Sequence, residues 1–446
     1  MKVSNSQRWV IPLAISAFHI SSTLAASSVG TNPLATEDQR DLDALAIDIY
    51  NSNDFPIVKA AARSAYQTAH GFPISSEALA GLDAAIEELT FSAVQKAVNS
   101  DPYYPKVYWV DAGPRTWFDL DVPGGRYSYD NPDCIYRTIP ISSDVDYVVT
   151  GHRYGDGPTD TSFSLISNVN SQNTIAYLGN ADLVVTSDGS YTITINSTST
   201  SAPNHIQSKS SAKQLLIRNN IGDWNVEKPD RISVAAVSDV AGRKPITTDT
   251  IVASARANLA ESTVTYGIGA LGLKTYINNV NTLSEPSQSS TLGTLTSQAS
   301  SFGHFKLSEE EALVATITPG AATYWVFPVT DPWSVTVDPG SSQISLNSKQ
   351  AVANTNGTYT FVVSITDPGV YNWINTTGRH EGTTMVRWQG LLTASSDNSG
   401  VGIYVQVVPI SVLNAVLPSE TRYVTAKERA AQLAERSQGY SRRLNY

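Results

Sequence analysis

The sequence contains very little sulfur. Among its 446 residues there are one cysteine, Cys134, and two methionines. A single cysteine cannot form an intrachain disulfide, a thiolate zinc cluster or an iron–sulfur centre. A lone buried cysteine is also more often a packing residue than a nucleophile. Cysteine therefore supplies neither an intrachain disulfide nor a thiolate cluster for zinc or iron–sulfur in this chain.

The sequence motifs of common catalytic chemistry are missing as well. The chain has no Gly-x-Ser-x-Gly elbow, Walker loop, dinucleotide fingerprint or His-Glu-x-x-His motif. His205, His304 and His380 are isolated, so a histidine metal site would need distant segments to converge. No pair of carboxylates has the spacing of a glycosidase couple. We therefore expect neither a metal ion nor any other cofactor.

The longest apolar run lies at the N-terminus. Val10 to Ile20 follows Lys2 and Arg8, and small residues around Ala25 offer a cleavage site, which predicts a signal peptide over 1–25. This run is too short to span a bilayer, and no later segment approaches that length. We expect a secreted or secretory-lumen chain without membrane insertion, and the sequence leaves its oligomeric state open.

Positive charge is scarce relative to negative charge. Thirty Lys and Arg stand against forty Asp and Glu, a formal charge of −10. Loss of Lys2 and Arg8 with the signal would take it to −12 (−10 minus 2). This balance disfavours nucleic acid as a partner. The basic cluster 427–443 is interpreted as a solvated helix and tail.

Three sequons agree with a secretory route. They begin at Asn196, Asn356 and Asn375. Asn356 lies in a predicted hairpin turn and is expected to be the most accessible glycosylation site of the three.

Periodicity and composition predict a mainly β fold with α-helices. Two related β-rich units, of sandwich or jelly-roll type, follow a helical N-terminal segment and are joined by a helical connector. Thr425-x-x-Glu428 is a capping box that opens the last helix. The predicted segments are the signal peptide 1–25, helices 37–100, first β unit 101–240, connector 247–283, Ser/Thr-rich loop 284–306, second β unit 307–418, and C-terminal helix and tail 419–446.

The two β units echo each other in sequence. The stretch 188–193 matches 356–361 at an offset of 168 residues (356 minus 188), and 204–206 matches 372–374 at the same offset. The stretch 216–218 matches 385–387 at one residue more, and 162–165 is aligned with 332–335. An ordered series of matches indicates a duplicated unit.

Aromatic residues beside polar donors are the main candidates for a site. The functional interpretation is an apolar ligand cavity for small hydrophobic molecules, and the alternative is ordinary core packing. Neighbouring strand residues face opposite sides, so only one member of each pair Arg387–Trp388 and Tyr324–Trp325 can face one cavity. Arg387 echoes Arg218, which favours an architectural role. The candidate substrate-binding residues are Trp325, Trp333, Trp373 and Trp388, and the candidate catalytic residues are His380, Tyr324 and Arg387.

The C-terminal third resembles the family known as domain of unknown function twelve-fourteen. The resemblance weakens in the middle third. It implies a fold and almost no chemistry. The residues that carry it are 311–313, Tyr324-Trp325, 345–347, Asp367-Pro368-Gly369, Asn372-Trp373, Gly378, Gly382 and Arg387-Trp388, then 424–431 and 442–443.

The chain also resembles the secreted fungal hetero-Diels–Alderases of tropolone–sesquiterpene biosynthesis. The signal peptide, the sequons and the lack of catalytic motifs are the shared features. This resemblance implies a secondary-metabolite enzyme that joins a tropolone quinone methide to a humulene-type sesquiterpene without a cofactor. His380, Arg387 or Tyr324 would then supply proton donors, and the tryptophans would supply walls.

Two other functions remain open at this stage. A secreted glycan-binding or glycan-cleaving protein would use exposed aromatics to stack on sugars. A non-enzymatic envelope or wall-associated protein would use the same aromatics as core.

Overall fold

The computed structural model describes residues 32–52, 55–289, 295–391 and 400–446. The predicted signal peptide lies outside the described residues. No helix within these ranges has both the length and the apolarity that crossing a membrane requires.

Helices occupy the N-terminal part, the middle and the C-terminus. Ser75 caps α3 by accepting from the Ala78 N–H, and the predicted capping box of Thr425 and Glu428 is confirmed at α6. The helices are α1 (Glu37–Ser52), α2 (Pro56–His70), α3 (Ser76–Val98), α4 (Thr248–Ser262), a π-helix (Thr263–Tyr276), α5 (Leu413–Val416) and α6 (Ala426–Ser441), with 3₁₀ turns at Ile410–Val412 and Arg442–Leu444.

Twenty-one strands are present in the described ranges, and the predicted mainly β fold with α-helices is confirmed. The first eleven are β1 (Tyr108–Val110), β2 (Arg115–Trp117), β3 (Leu120–Val122), β4 (Cys134–Pro140), β5 (Tyr147–His152), β6 (Asp160–Ile166), β7 (Thr174–Gly179), β8 (Ser190–Asn196), β9 (His205–Gln207), β10 (Gln214–Asn220) and β11 (Arg231–Ala236). The others are β12 (Thr282–Leu283), β13 (Ser287–Gln288), β14 (Ala299–Lys306), β15 (Glu311–Pro319), β16 (Tyr324–Pro328), β17 (Ser345–Asn347), β18 (Tyr359–Ser364), β19 (Trp373–Asn375), β20 (Glu381–Gln389) and β21 (Val401–Pro409).

These strands form two sandwiches with one strand order. The N-terminal sandwich packs sheet β1-β4-β10-β6-β7 on sheet β11-β5-β8-β9. The C-terminal sandwich packs β12-β14-β20-β16-β17 on β21-β15-β18-β19, with β13 paired to β14. A small hairpin, β2–β3, stands apart.

The equivalence extends to individual hydrogen bonds. Asn204 exchanges two bonds with the backbone of Val184, and Asn372 does the same with Val352. Both pairs are separated by 168 residues (372 minus 204 and 352 minus 184). The parallel ladder β8–β9 also has the register of β18–β19 at this offset.

Two sequence-based expectations need correction. The alignment of 162–165 with 332–335 is wrong, because β6 occupies the place of β16 in the strand order, whereas 332–335 is loop. The predicted Ser/Thr-rich loop 284–306 ends in β14, a buried strand paired along its whole length with β20. Serines on β14 are hydrogen-bonded inside the protein, so their polarity does not mark solvent exposure.

A layer of helices covers the two central sheets, which are the sheets that contain β10 and β20, on the face turned away from each sandwich core. Helices α1 to α4 and the π-helix share one core with Tyr108 and Tyr129 from the N-terminal half and with Phe302 and Met385 from the C-terminal half. Side chains alternate along each strand, so β10 and β20 present one face to their own sandwich and the other to this helical layer.

Candidate functional site

A polar cavity lies between the helical layer and the two central sheets. Its total empty volume, including the open mouth, is about 540 Å³. The free space inside, counted as the volume that the centre of a water molecule can occupy, is about 40 Å³. A water molecule needs roughly 10–15 Å³ of such free space, so the inner part holds about three waters. A ring-sized ligand therefore requires the walls to move outward.

Two arginines from equivalent strands face this cavity. Arg218 lies on β10 and Arg387 lies on β20, each on the face opposite its sandwich core. Arg218 donates to Gln172 Oε1 at 3.3 Å. Arg387 donates to the carbonyl oxygens of Met385 and Tyr129. Guanidinium groups stay charged when buried, so the cavity carries two fixed positive charges.

Four tyrosines line the same cavity, namely Tyr127, Tyr129, Tyr136 and Tyr266. Burial raises the pKa of each phenol, so all four stay protonated at neutral pH. The Tyr266 hydroxyl already donates to the Asn170 carbonyl. The rings of Tyr127 and Tyr266 meet at a centroid distance of 4.9 Å.

Asp111 supplies the carboxyl group that is best placed for chemistry. It follows β1, lines the cavity and, within the described ranges, receives no hydrogen bond. Burial is the largest cause that raises its pKa, to about 7, and Asp130 adds to this rise. The positive charges of Lys96 and Arg218 oppose the rise. Near neutral pH, Asp111 is therefore partly protonated and can act as an acid.

The carboxyl group of Asp130, the second aspartate that lines the cavity, is already hydrogen-bonded within the protein. It accepts hydrogen bonds from the N–H and hydroxyl of Thr336. Burial raises its pKa to about 6, although the positive charge of Arg126 opposes the shift. Asp130 therefore fixes the loop 332–336 against the cavity wall.

Four cavity residues other than glycine have left-handed backbone conformations. Their φ angles are +56° at Asp111, +49° at Ser128, +62° at Tyr129 and +52° at Gln172. Such conformations cost about 1–3 kcal/mol each and concentrate at functional sites, where the surroundings enforce them. Their convergence on one cavity is independent support for its being a site.

The candidate catalytic residues predicted from sequence do not come together. Arg387 faces the cavity, as the strand alternation allows, and its neighbour Trp388 points into the C-terminal core. Tyr324 is buried at the junction of the sandwiches, where it donates to Asp133 Oδ2 at 2.6 Å. The His380 side chain is 47 % exposed, and its Nδ1 lies 2.9 Å from Glu77 Oε2.

The four tryptophans proposed as cavity walls are all in other surroundings. Trp325 and Trp388 belong to the core of the C-terminal sandwich. Trp333 is fully buried and donates from Nε1 to the Ala78 carbonyl in α3. Trp373 lies under the Arg429 guanidinium of α6. These rings hold the fold together, because each is enclosed by packing partners.

The sequons differ in exposure. Asn356 lies in an exposed turn and is the most accessible, while Asn196 and Asn375 are partly buried. Each of the three side chains accepts a hydrogen bond from the backbone N–H two residues further on.

Sequence reasoning missed Asp111 and Lys96. Asp111 carried no recognisable signal, because it stands alone in an ordinary turn sequence. Lys96 did carry one, since it is the charged residue in the buried run 89–98 of α3. The echo of Arg218 in Arg387 is also visible in the sequence; it favours an architectural role, although Arg387 is among the candidate catalytic residues.

Comparison with known proteins identifies the fold and gives no activity. No protein family and no curated protein matches the sequence. A crystal structure of an uncharacterised protein from Burkholderia cenocepacia is similar, with a TM-score of 0.69 and 20 % identity over 82 % of this chain and 100 % of that one. A Vibrio parahaemolyticus protein covers the same shares at 11 % identity and a TM-score of 0.40. At these identities the likeness to the Burkholderia protein shows the fold alone.

The cavity is equipped to bind oxygen atoms that carry or develop negative charge. Two guanidinium groups and several phenols offer fixed donors, and such preorganised donors stabilise oxyanions strongly where water is excluded. Asp111 adds a proton that can be transferred near neutral pH. Ala270, Phe302 and Met385 complete the lining with apolar surface.

Proposed function

We propose that this chain is a secreted, cofactor-independent hetero-Diels–Alderase that generates a tropolone quinone methide and joins it to a humulene-type sesquiterpene. The observation that carries the proposal is the convergence of Asp111, Arg218 and Arg387 on one cavity. It also rests on the resemblance to the fungal enzymes of this class. Localisation in the secretory pathway is part of the proposal.

The first step would be loss of water from a hydroxymethyl tropolone. The substrate would bind as the tropolonate, with its ring hydroxyl proton already lost to solvent, and Arg218 and Arg387 would hold the negative charge on its two adjacent ring oxygens. Asp111 in its protonated form would give its proton to the departing hydroxyl group. The products of this step are the quinone methide, one water molecule and the Asp111 carboxylate.

The second step would be addition of this diene across a sesquiterpene alkene. It requires no proton transfer, so the protein contributes by holding the two partners in reacting geometry. The apolar lining at Ala270, Phe302 and Met385 would receive the hydrocarbon. Because the inner free space is small, both partners fit only if the walls open.

The test is a comparison of protein-containing and protein-free reactions. Purified protein is mixed with a hydroxymethyl tropolone and a humulene-type alkene, and the cycloadduct is analysed for rate and enantiomeric excess. Quinone methides also react spontaneously, so product alone proves little. The proposal predicts faster formation of one enantiomer. A racemic product at the spontaneous rate would contradict it.

A surface groove gives some support to the glycan-binding alternative. Its free space, the quantity that is about 40 Å³ in the polar cavity, is about 560 Å³. Its lining combines the ring of Tyr154 with Asp156, Asn180, Glu227 and Lys228. A flat aromatic ring can stack on a sugar ring, and neighbouring carboxylate and amide groups can hydrogen-bond to its hydroxyl groups. Titration calorimetry with hexose oligomers tests this alternative, which predicts binding that Tyr154→Ala abolishes. The candidate residues Trp325, Trp333, Trp373 and Trp388 are buried, so their rings are not available to stack on a sugar.

A further inference from the structure

We propose that the outer side of the π-helix is a docking surface for a lipid bilayer, on which the protein lies without crossing it. The surface is formed by four aliphatic side chains, which we call the aliphatic stripe: Val264, Ile268, Leu273 and Ile277. Docking on lipid needs no substrate, so it can be tested independently of the proposed reaction.

The spacing of the aliphatic stripe follows the period of a π-helix. Such a helix is built from hydrogen bonds between residues five apart, here from the Ile277 N–H to the Gly272 carbonyl at 3.1 Å, and has about four to five residues per turn. Steps of four, five and four residues (264 to 268, 268 to 273, 273 to 277) therefore keep the four side chains on one side of the helix. Tyr266 and Ala270 lie on the opposite side, where they line the polar cavity.

The aliphatic stripe is open to solvent. Its four residues are between 43 % and 69 % exposed, and none of the other described residues from 262 to 277 is as exposed. Phe72, which is 76 % exposed, adds an aromatic ring near the Ile277 end, because it follows His70, whose ring lies 4.5 Å from that of Tyr276. Neighbouring exposed apolar side chains of this kind mark a surface that meets a protein or a membrane.

Charge on this part of the protein suits lipid headgroups. The whole chain has a formal charge of −10, yet α2 contains no Asp or Glu and neither does the stretch between Glu261 and Glu285. Lys274 is the one charged residue in that stretch, and it is a cation, the charge that pairs with the phosphates of lipid headgroups. The aliphatic stripe can therefore approach a bilayer without a carboxylate of its own helix facing those phosphates.

Hydrogen bonding favours lipid over a second copy of this chain as the partner. A protein interface forms about one hydrogen bond per 100–200 Å². The aliphatic stripe has no polar side-chain atom to contribute. On the neighbouring α2, the Thr68 hydroxyl already donates to the Ser64 carbonyl at 2.9 Å. The hydrocarbon of a bilayer forms no hydrogen bonds, so it matches such a surface.

The position of the aliphatic stripe also supplies a reason for docking. The π-helix carries the stripe on one side and forms part of the cavity wall on the other, so a single helix would separate the cavity from the bilayer. This role rests on the proposed function, whose sesquiterpene alkene is a hydrocarbon that dissolves in lipid.

Flotation with phosphatidylcholine vesicles tests docking of the whole chain. We expect wild-type protein to float with the vesicles and the floating fraction of Leu273→Glu to be at least fivefold lower, because a carboxylate in the stripe resists leaving water. The matched control, Val184→Glu, places the same charge at an exposed residue of the N-terminal sandwich and should float as wild type. A wild-type protein that does not float, or equal flotation of the two variants, would overturn the proposal.

A fluorophore on the stripe shows which surface meets the lipid. Cys134, the only cysteine of the chain, is buried, so Leu273→Cys provides an accessible thiol for a nitrobenzoxadiazole dye. With vesicles its emission should rise at least twofold and shift to shorter wavelength, whereas the same dye on Val184→Cys should not change. An unchanged emission at position 273, or an equal change at both positions, contradicts docking through the stripe.

Two comparisons separate lipid docking from self-association and from the proposed function. Sedimentation without vesicles measures the oligomeric state, and a wild-type dimer that Leu273→Glu dissociates would overturn the proposal in favour of a second copy. Vesicle binding by a protein that forms no cycloadduct contradicts the proposed function alone. Cycloadduct formation by a protein that does not bind vesicles contradicts docking alone.

Discussion

At the scale of single residues, hydrogen-bond partners separate structural polar groups from those available for chemistry. Asp133 accepts from Tyr324, Asn347 and Trp224, so its carboxyl oxygens are occupied. Asp111 receives no such bonds within the described ranges and faces a cavity. Both carboxyls have raised pKa values because of burial, so the pKa alone does not distinguish the two roles.

Tyr324→Phe should therefore affect stability and not chemistry. The phenol donates to Asp133 and accepts from Asn131 at 2.9 Å. Its loss leaves a buried carboxyl without one donor, and we expect a loss of about 1–3 kcal/mol in the free energy of unfolding. Urea denaturation measures this, with the exposed Tyr404→Phe as a control that changes stability by less than about 0.5 kcal/mol. A large loss of activity per folded molecule would instead show that Tyr324 takes part in catalysis.

Asp331→Asn should reveal a buried carboxyl that weakens the fold at high pH. Burial raises its pKa to about 7, although the N–H groups of Val335 and Trp333 donate to it and oppose the shift. The unfolded chain releases this proton at lower pH than the folded chain, so this residue makes stability fall as pH rises from about 4 to 7. We expect the variant to match wild type near pH 4 and to exceed it by on the order of 2 kcal/mol at pH 8. Urea titrations at both pH values measure this, and an equal difference at both would contradict the assignment.

At the scale of elements, strand periodicity was the most informative feature of the sequence. It separated Arg387 from Trp388 correctly, since alternation in β20 is fixed by backbone geometry. Composition was misleading for β14, because its serines lie on a buried strand although a Ser/Thr-rich stretch predicts a loop. Capping chemistry at Thr425 was readable because it involves neighbouring residues only. The cavity was not readable, because its residues come from segments that are far apart in sequence.

The π-helix depends on a glycine where it packs against α2. A Cβ on Gly267 would lie 2.6 Å from the buried ring of Tyr66. Gly267→Ala should therefore cost about 1–3 kcal/mol through overpacking, although alanine favours helices. Gly81→Ala in α3 is the control, because its Cβ would meet Trp333 at an ordinary 3.7 Å. That variant should gain up to about 1 kcal/mol. Thermal unfolding distinguishes them, and a neutral Gly267→Ala would show that the helix can shift away from α2.

At the scale of the whole molecule, duplication explains the composition of the cavity. Equivalent strands β10 and β20 present Arg218 and Arg387 to one space, and at their ends Asn220 donates to Gln389 Oε1 at 2.5 Å. The sequence echo predicted two related units but could not show that their outer faces meet beneath one helical layer. That arrangement depends on the packing of α1 to α4, which local patterns do not encode.

The central claim is that Asp111 donates the proton that creates the diene. The most direct test measures Asp111→Asn with two substrates, a hydroxymethyl tropolone and a preformed quinone methide, each with the same alkene. His380→Ala and the exposed Asp239→Asn serve as controls. We predict that Asp111→Asn slows product formation at least a hundredfold from the first substrate and less than threefold from the second, while both controls match wild type. Equal losses with both substrates, or a selective loss in His380→Ala, would contradict the account.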